Sequence, residues 1–303
     1  MSVFGRLVIG VADSTPVNRL ITRTAAGRSL AHRFVAGDSL DQAITAAKAL
    51  NRDGLLVSLD LLGEEVTDPA SVEAAMIGYE ACLSRIAQDR VAGNISIKLT
   101  QLGLAFDHDL AAAGLDRLAR LAASHDLTVT IDMEDSRFTD DTVALYEKVQ
   151  LVRHNLGVAL QAYLYRTPGD VTRVAPLGGH IRLCKGAYVE PPDVAYTAKH
   201  DVDAAFARVL ELLMPDPLVR PAIATHDERL IDLSRKLAKH RQGSFEFQML
   251  YGVRPALQKQ LAAAGYKVRV YVPYGAAWYP YLVRRMAERP ANLGFFLRAL
   301  ISR

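Results

Sequence analysis

Eight short strand-like segments, each separated from the next by a helical pattern, are the feature that most constrains the fold of this 303-residue chain. Helical patterns with apolar residues three and four positions apart, such as those over residues 71–88, 110–124 and 142–154, run between the strands. Because helices separate the strands, a parallel sheet is favoured over hairpins or a sandwich, and eight such units in about 250 residues are typical of a closed (βα)8 barrel. The predicted strands are residues 54–61, 93–100, 127–134, 156–164, 180–187, 220–226, 245–250 and 267–272.

A doubly wound open sheet is the alternative fold for such an alternation. Neither a GxGxxG nor a GxxxxGK[ST] motif occurs in the chain, so the two common nucleotide-binding loops of open sheets are lacking. The alternation begins after Arg52. We therefore predict an N-terminal helical arm over residues 1–53 and a (βα)8 barrel over residues 54–303.

The N-terminal arm carries an apolar stretch, residues 2–12, that is interrupted by Arg6. It is about half as long as the roughly 20 residues that span a bilayer, so it is interpreted as a packed helix or a weak surface anchor. Residues 16–50 have a helical pattern in which Ser39 and Gln42 have the spacing of a capping box. These helices precede the first strand and are expected to lie outside the main fold.

Composition excludes several classes of protein. The 36 Lys and Arg residues are dispersed among 33 Asp and Glu residues, which leaves a net charge of +3 and no basic run of the kind that binds nucleic acid. The two cysteines, Cys82 and Cys184, are far apart and have no metal-ligand or CxxC spacing. We therefore expect no metal site and no disulfide, and a reducing compartment.

Polar residues recur near the ends of the predicted strands. In a (βα)8 barrel the chemistry gathers where the strands end, because side chains and loops meet there in one mouth. The segment 180–192 is the most unusual, since Arg182 and Lys185 stand where a buried strand would be apolar. A strand end that extends its charges into solvent is one interpretation, and an anionic or electron-rich ligand at the strand end is the other. The polar residues are Lys98, Asp132, Gln161, Arg182, Lys185, Thr225, His226, Gln248 and Tyr271.

Four motifs carry a resemblance to a known family. RLCKGAYVEP at residues 182–191, ATHD at 224–227, FEFQMLYGVR at 245–254 and YLVRRMAER at 281–289 together resemble the proline dehydrogenase family, with the length of its bacterial monofunctional members. The resemblance implies a flavoenzyme that oxidises L-proline to Δ1-pyrroline-5-carboxylate, the first step of proline catabolism to glutamate. It also implies a distorted (βα)8 barrel of the TIM type with FAD bound at its mouth.

The resemblance assigns cofactor-binding roles to residues at the strand ends. Arg182 matches the arginine near flavin N5, and Gln161 matches the glutamine that hydrogen-bonds the isoalloxazine edge. Asp132 and Met133 match the end of the third strand beneath the flavin. The resemblance, together with the chemistry of the two side chains, makes Asp132 and Arg182 the candidate catalytic residues. The remaining cofactor residues that it implies are Lys185, Gly186 and Ala187 along the cofactor, and Thr225 and His226 at its pyrophosphate and adenosine side.

The resemblance assigns the substrate site to the final helix and the strand ends around it. Lys98, Arg284 and Arg285 resemble the cations that bind the carboxylate of proline, and Glu288 is expected to meet the arginines or an amine. From spacing alone, a solvated charged helix face explains Arg284, Arg285 and Glu288 equally well. The expected walls of the ring pocket are Tyr188, Leu250 and Tyr271, and the expected gate over bound substrate is an ion pair between Glu64 and Arg284.

Two other activities and several partners remain open at this point. A 4-hydroxyproline dehydrogenase is the near neighbour, and a Schiff-base aldolase or lyase of the same barrel type would use Lys98 or Lys185 as its nucleophile. The group that accepts the amine proton is either Asp132 or water. A membrane quinone is the expected electron acceptor, and pyrroline-5-carboxylate dehydrogenase is the expected functional partner. The expected location is the cytoplasm, with peripheral binding at the inner face of the membrane as an option.

Overall fold

The computed structural model describes residues 31–63 and 66–288, with side chains as far as residue 283. Its centre is a closed barrel in which each parallel strand pairs with the next and β8 pairs with β1. The predicted (βα)8 barrel is confirmed, and all eight predicted strands occur within one or two residues of their expected starts. The strands are β1 (Leu56–Leu61), β2 (Gly93–Ile97), β3 (Val129–Ile131), β4 (Leu156–Gln161), β5 (Gly179–Cys184), β6 (Val219–Ala224), β7 (Glu246–Leu250) and β8 (Val268–Tyr274).

Helices cover the outside of the barrel between successive strands. Short 3-10 turns at Leu99–Leu102, Ser136–Phe138 and Ala175–Leu177 complete the connections. The described helices are α1 (Leu40–Arg52), α2 (Pro69–Gln88), α3 (His108–Ser124), α4 (Thr139–Arg153), α5 (Thr167–Val174), α6 (Lys199–Leu213), α7 (Glu228–Ala238), α8 (Pro255–Ala263) and α9 (Trp278–Glu288).

Several strands end earlier than the sequence pattern predicts. β2 ends at Ile97 because a 3-10 turn begins at Leu99 and closes at Gly103, whose φ is 96°. β5 ends at Cys184, two residues before Gly186, whose φ of 127° is incompatible with a strand. The polar residues that follow these strands therefore lie on the loops around the barrel mouth rather than in the sheet.

Helix α1 corrects the expectation that the N-terminal helices lie outside the main fold. The predicted capping box forms, since Ser39 and Gln42 bond each other's backbone N–H groups. Ala43 and Ala47 are fully buried, and the helix packs against β1 and β8. Its N-terminal end is held near the end of β8, where Ala36 N–H donates to the carbonyl of Pro273 over 2.8 Å. α1 thus takes the place in the outer ring that the helix after β8 would otherwise fill.

Residues 1–30 of the N-terminal arm, including the apolar stretch 2–12, lie outside the described residues, and the boundary at residue 53 stays a prediction. Within the described ranges, no helix is both long enough and apolar enough to cross a bilayer.

The barrel interior is polar, whereas the strand faces toward the helices are apolar. Ile181 and Leu183 of β5 are fully buried under the helices, and their neighbour Arg182 is directed inward. Barrels of this kind are usually filled with branched apolar side chains, so the interior residues here need hydrogen-bond partners within the barrel. Gly157 of β4 makes room for one of them, because a Cβ there would lie 2.8 Å from the carbonyl oxygen of His180 and 3.0 Å from its Cβ.

Substitution of Gly157 tests how tightly this interior is packed. Gly157→Ala should lower the free energy of unfolding by about 1–3 kcal/mol, because backbone atoms of β5 must move to admit the methyl group. Gly169→Ala, at an exposed position of α5 where nothing lies within 4 Å of an added Cβ, should leave stability unchanged or raise it by about 0.5–1 kcal/mol. Urea unfolding of both variants measures the difference, and equal stability of the two would contradict the packing described here.

Candidate active site

A cavity of about 540 Å³ opens at the C-terminal ends of the strands. Every predicted site residue whose side chain the structure describes lines this cavity. Glu64, the predicted gate residue, lies outside the described residues, as do the side chains of Arg284, Arg285 and Glu288 on α9. The predicted residues that line the cavity are Lys98, Asp132, Met133, Gln161, Arg182, Lys185, Gly186, Ala187, Tyr188, Thr225, His226, Leu250 and Tyr271.

Arg182 forms the floor of the cavity, and its side chain is only 6% exposed. Its Nη1 donates to Oδ1 of Asp132, and its Nη2 donates to Oγ of Ser96 over 2.8 Å. Its Nε donates to Oε1 of Gln248 over 2.6 Å. These bonds on different sides of the planar guanidinium fix both its position and its plane. The residue that looked out of place in the sequence is therefore a buried cation with compensating partners.

Asp132 joins Arg182 to the neighbouring residues of the mouth. Its Oδ2 accepts a hydrogen bond of 2.6 Å from the Tyr271 hydroxyl and lies 3.4 Å from Nζ of Lys98. The guanidinium carbon of Arg182 lies 5.2 Å from the centre of the Tyr271 ring, within the range of a cation–π contact. Burial, together with the charge of Asp132, raises the pKa of Tyr271 well above its usual value, so the phenol stays protonated and acts as a donor.

Lys98 lies between two carboxylates. Its Nζ is 2.6 Å from Oδ1 of Asp60, whose side chain is 1% exposed, and the contact with Asp132 lies on its other side. Burial by itself would lower the pKa of Lys98, but the charges of Asp60 and Asp132 outweigh it and raise the pKa above the usual lysine value. Lys98 is therefore a permanent cation at the edge of the cavity.

Asp60 is a site residue that sequence reasoning missed. The signal was present, because Ser58 and Asp60 alternate along β1 as Asn94 and Ser96 do along β2, and these residues pair in that register. Lys98 follows β2 and reaches Asp60 across the strand ends. One oxygen of Asp60, Oδ2, is buried without a hydrogen-bond partner among the described residues.

The loop after β5 is held against the barrel mouth by Gln161. The Gln161 amide donates to the carbonyl of Glu134 over 2.8 Å and accepts from the N–H of Ala187 over 3.1 Å. Gly186 within this loop has positive φ, and a Cβ there would lie 2.3 Å from the ring of Tyr163. Glycine is therefore required at position 186, and the loop lies along one side of the cavity.

A second group of charges lies at the other side of the cavity, around Lys185. Its Nζ contacts Oδ1 of Asp203 at 2.5 Å and Oδ2 of Asp227 at 3.0 Å. Lys199 also lines the cavity and contacts Asp203 at 2.5 Å. Asp203 could not be found from the sequence because it lies on a helix, α6, with no strand-end signal, whereas Asp227 directly follows the ATH of the sequence motif.

Thr225 and His226 lie between β6 and the N-terminus of α7. Oγ of Thr225 accepts from the N–H of Asp227 over 3.1 Å, and Nε2 of His226 accepts from the N–H of Leu250 over 3.0 Å. Because Nε2 accepts, the proton of a neutral His226 is carried on Nδ1. The arrangement leaves polar groups near a helix N-terminus, where anions are favoured.

The cavity can accept a large, electron-rich and partly anionic ligand. Apolar side chains such as Met133 and Leu250 lie beside the cations Arg182, Lys98 and Lys185. In the part of the chain that the structure describes, no group of three or more His, Cys, Asp or Glu side chains could hold a metal ion. The thiol of Cys184 lines the cavity, but burial raises its pKa to about 12, so it is not a ready nucleophile.

Comparison with known proteins agrees with these features. A family model described as proline dehydrogenase matches residues 43–298. Proline dehydrogenase 1 of Bacillus subtilis (strain 168) is 38% identical over 292 residues, which cover 94% of this chain and 96% of that protein. Proline dehydrogenase of Deinococcus radiodurans is 39% identical over 308 residues, which cover 99% of this chain and 98% of that protein.

A solved structure with the same fold is that of proline utilization A (PutA) from Bdellovibrio bacteriovorus inactivated by N-propargylglycine. It aligns with a TM-score of 0.81 at 22% identity, a level that shows the fold alone. The alignment covers 94% of this chain and 36% of that chain, so this chain spans about a third of the solved protein. The predicted family is confirmed by the match of the family model and by the two relatives: the chain belongs to the proline dehydrogenase family.

Proposed function

We propose that this chain oxidises L-proline to Δ1-pyrroline-5-carboxylate with FAD as the hydride acceptor. The observation that carries the proposal is the buried Arg182, held by Asp132 and Gln248 on the floor of an open cavity in a member of the proline dehydrogenase family. A fixed cation in a mostly water-free site stabilises negative charge that develops on a neighbouring ring.

The residues of the cavity fit FAD in size, polarity and charge. A volume of about 540 Å³ lies within the usual range for ligand and cofactor pockets. Apolar side chains, Met133 among them, suit a flat aromatic ring, and Gln161 has one amide proton and one lone pair beyond its two bonds to the backbone. Lys185 and the N-terminus of α7 after Thr225 suit a diphosphate at the other side.

The chain's own groups would then orient and tune the reaction. Bound FAD supplies the acceptor for two electrons and the hydrogen from the substrate carbon. Arg182 stabilises the electron-rich reduced ring, and Lys185, Gly186, Ala187, Thr225 and His226 hold the remainder of the cofactor. Asp132 already accepts hydrogen bonds from Arg182, Tyr271 and Lys98, so we assign it to orienting these groups, with water taking the amine proton.

Lys98 is proposed to bind the carboxylate of proline together with Arg284 and Arg285. It stays cationic between Asp60 and Asp132 and lines the cavity, so it can attract an anion into the mouth. A fixed carboxylate would position the ring carbon that loses the hydride next to the flavin. Binding of the carboxylate would therefore also orient the substrate for the reaction. Glu288, and a Glu64–Arg284 pair closing over the substrate, complete the proposed site on the basis of the family resemblance.

Tyr188, Leu250 and Tyr271 are proposed as the walls of the ring pocket. All three line the cavity, and Tyr281 of α9, to which the sequence assigned no role, lines it as well. The Tyr271 phenol is held in place by its bond to Asp132, so it presents a rigid face to a five-membered ring. A 4-hydroxyl group would crowd this phenol, which favours proline over 4-hydroxyproline as the substrate.

The proposed electron acceptor is a membrane quinone, and the proposed partner in sequence is pyrroline-5-carboxylate dehydrogenase, because the cyclic imine must be oxidised further to give glutamate. The proposed location is the cytoplasm, with contact at the inner face of the membrane. The Schiff-base alternative is disfavoured, since such a lysine must be neutral to attack, whereas Lys98 and Lys185 are each paired with two carboxylates.

Purified protein should therefore be yellow and should reduce an artificial dye with L-proline. Arg182→Met should lower the rate of flavin reduction by about 10² to 10³, or about 2.7–4 kcal/mol of barrier, because a charge-stabilising donor is lost. The flavin midpoint potential should become more negative. Arg182→Lys keeps the positive charge but loses the planar guanidinium with its several N–H donors. Its rate of flavin reduction and its flavin potential should lie between those of wild type and Arg182→Met. Wild-type turnover in a folded, FAD-replete Arg182→Met variant would refute the role of Arg182.

Tyr271→Ser should change substrate preference. Removal of the ring wall should lower kcat/KM for proline by an amount equivalent to about 1–3 kcal/mol. The ratio of kcat/KM for 4-hydroxyproline to that for proline should therefore rise. Tyr271→Phe is the matched control, since it keeps the ring and loses only the hydroxyl bond to Asp132. Steady-state kinetics with both substrates measure the ratio, and a ratio that is the same in wild type and Tyr271→Ser would remove Tyr271 from the ring pocket.

Chemical trapping tests the reactivity of the cavity lysines. With a small aldehyde and cyanoborohydride near pH 7, peptides containing Lys98 and Lys185 should stay unmodified, because each amine is partly buried and paired with two carboxylates. Lys259, whose side chain is 59% exposed and contacts one carboxylate, should be modified and serves as the internal control. Mass spectrometry of the digested protein reads out each site. Modification of Lys98 or Lys185 ahead of Lys259 would favour the Schiff-base alternative.

A further inference from the structure

A hydrogen-bonded chain of buried side chains runs from the bottom of the barrel interior to Arg182. Gln248 of β7 is 3% exposed, and its Oε1 accepts from Nε of Arg182 over 2.6 Å. Its Nε2 donates to Oε1 of Glu246 over 2.7 Å. The two residues are neighbours on the inner face of the same strand, so Gln248 stands between a buried anion and a buried cation.

Glu246 permits only one orientation of the Gln248 amide. A carboxylate can only accept hydrogen bonds, so the NH2 group of Gln248 must face Glu246 and its oxygen must face Arg182. The reverse orientation would place the amide NH2 against the N–H of Arg182 and the amide oxygen against the carboxylate. Both contacts would be repulsive, so the charge of Glu246 selects the orientation that Arg182 needs.

Glu246 is itself held firmly from below. Arg269 donates to its two oxygens over 2.7 and 3.1 Å, and Nε2 of His180 lies 3.2 Å from Oε1. Burial would raise the pKa of Glu246, but the hydrogen bond from His180 and the charge of Arg269 hold it well below the usual glutamate value. Burial lowers the pKa of His180, so it stays mostly neutral at pH 7. Glu246 is thus an anion whose charge is largely neutralised by Arg269.

A neutral amide next to Arg182 has a different effect from a second carboxylate. Arg182 already has one anionic partner, Asp132. A further carboxylate at position 248 would cancel the positive potential that Arg182 presents to the cavity, because charges at hydrogen-bond distance interact strongly in a buried site. Gln248 fixes the Nε side of the guanidinium and leaves that potential in place.

We infer that Gln248 and Glu246 are positioning residues for Arg182. Glu246 fixes the amide of Gln248, and Gln248 fixes the guanidinium plane at the floor of the cavity. This inference rests on the proposed function for its effect on catalysis, since Arg182 acts there on the flavin. The positioning itself is a property of the barrel interior and can be measured separately.

Three variants test the chain of bonds. Gln248→Met keeps the size of the side chain and removes its hydrogen bonds to Arg182 and Glu246. Glu246→Gln keeps Gln248 but replaces the carboxylate that selects its orientation, so it carries the same test if Gln248→Met does not fold. Gln150→Met is the matched control, because Gln150 is equally buried and also bonds on both sides, to Gly178 and Leu156, but does not line the cavity.

Arginine Nε–H signals in 15N NMR spectra of the purified protein provide a readout that does not depend on activity. The Arg182 signal is assigned by its absence in Arg182→Lys. Its exchange with solvent should be slow in wild type and at least roughly tenfold faster in Gln248→Met, since a hydrogen bond to a charged group is lost. The exchange rate of this proton in Glu246→Gln should lie between those in wild type and Gln248→Met. In Gln150→Met it should equal the wild-type rate.

The catalytic consequence is measured on the same proteins. In Gln248→Met the rate of flavin reduction by proline should fall roughly tenfold to a hundredfold, with the apparent KM for proline little changed and the flavin potential more negative. Exchange and flavin potential in Gln248→Met that match those of Gln150→Met would overturn the inference. A wild-type protein that does not oxidise proline would refute the proposed function, while the exchange comparison would still decide the positioning.

Discussion

The structure depends on one buried charge, the guanidinium of Arg182 in the barrel interior. A cation removed from water is costly unless carboxylate and neutral acceptors replace its hydration on every side. The partners come from separate strand ends: Ser96 from β2, Asp132 after β3 and Gln248 from β7. Because the barrel is closed, all of these strands face one interior, and residues far apart in sequence meet at one group. The charged floor of the cavity therefore depends on barrel closure.

The strands on both sides of β5 make room for this arrangement. β4 and β6 direct small residues to the interior: Ala159 and Ala222 pair with the backbone position of Arg182, and Gly157 pairs with that of His180. Close packing favours small residues on both sides of Arg182, whereas His180 has Gly157 beside it on β4 and Arg220 beside it on β6. Ala159, together with Ala224 at the rim, lines the open cavity above Arg182.

The positions of two helices shape the mouth of the barrel. Because α1 fills the outer ring between β8 and β1, the helix that follows β8, α9, is free to lie at the mouth, where Tyr281 lines the cavity. The helix that bears Arg284 and Arg285 thus contributes to the same cavity as Lys98 and Asp132. In this arrangement α1 covers the outside of the barrel, and α9 helps to line the cavity.

Local patterns were enough to predict the eight strands, and the sequence motifs were enough to predict the family. Period-2 alternation determines which side chains share a face, so Lys98, Asp132 and Arg182 could be expected at one mouth before any contact was known. The partners of those residues were decided by the tertiary structure alone. The pairing of Asp60 with Lys98 depends on strand register, and the place of α1 depends on which helix covers β8. Such contacts join residues far apart in sequence, and no local period encodes them.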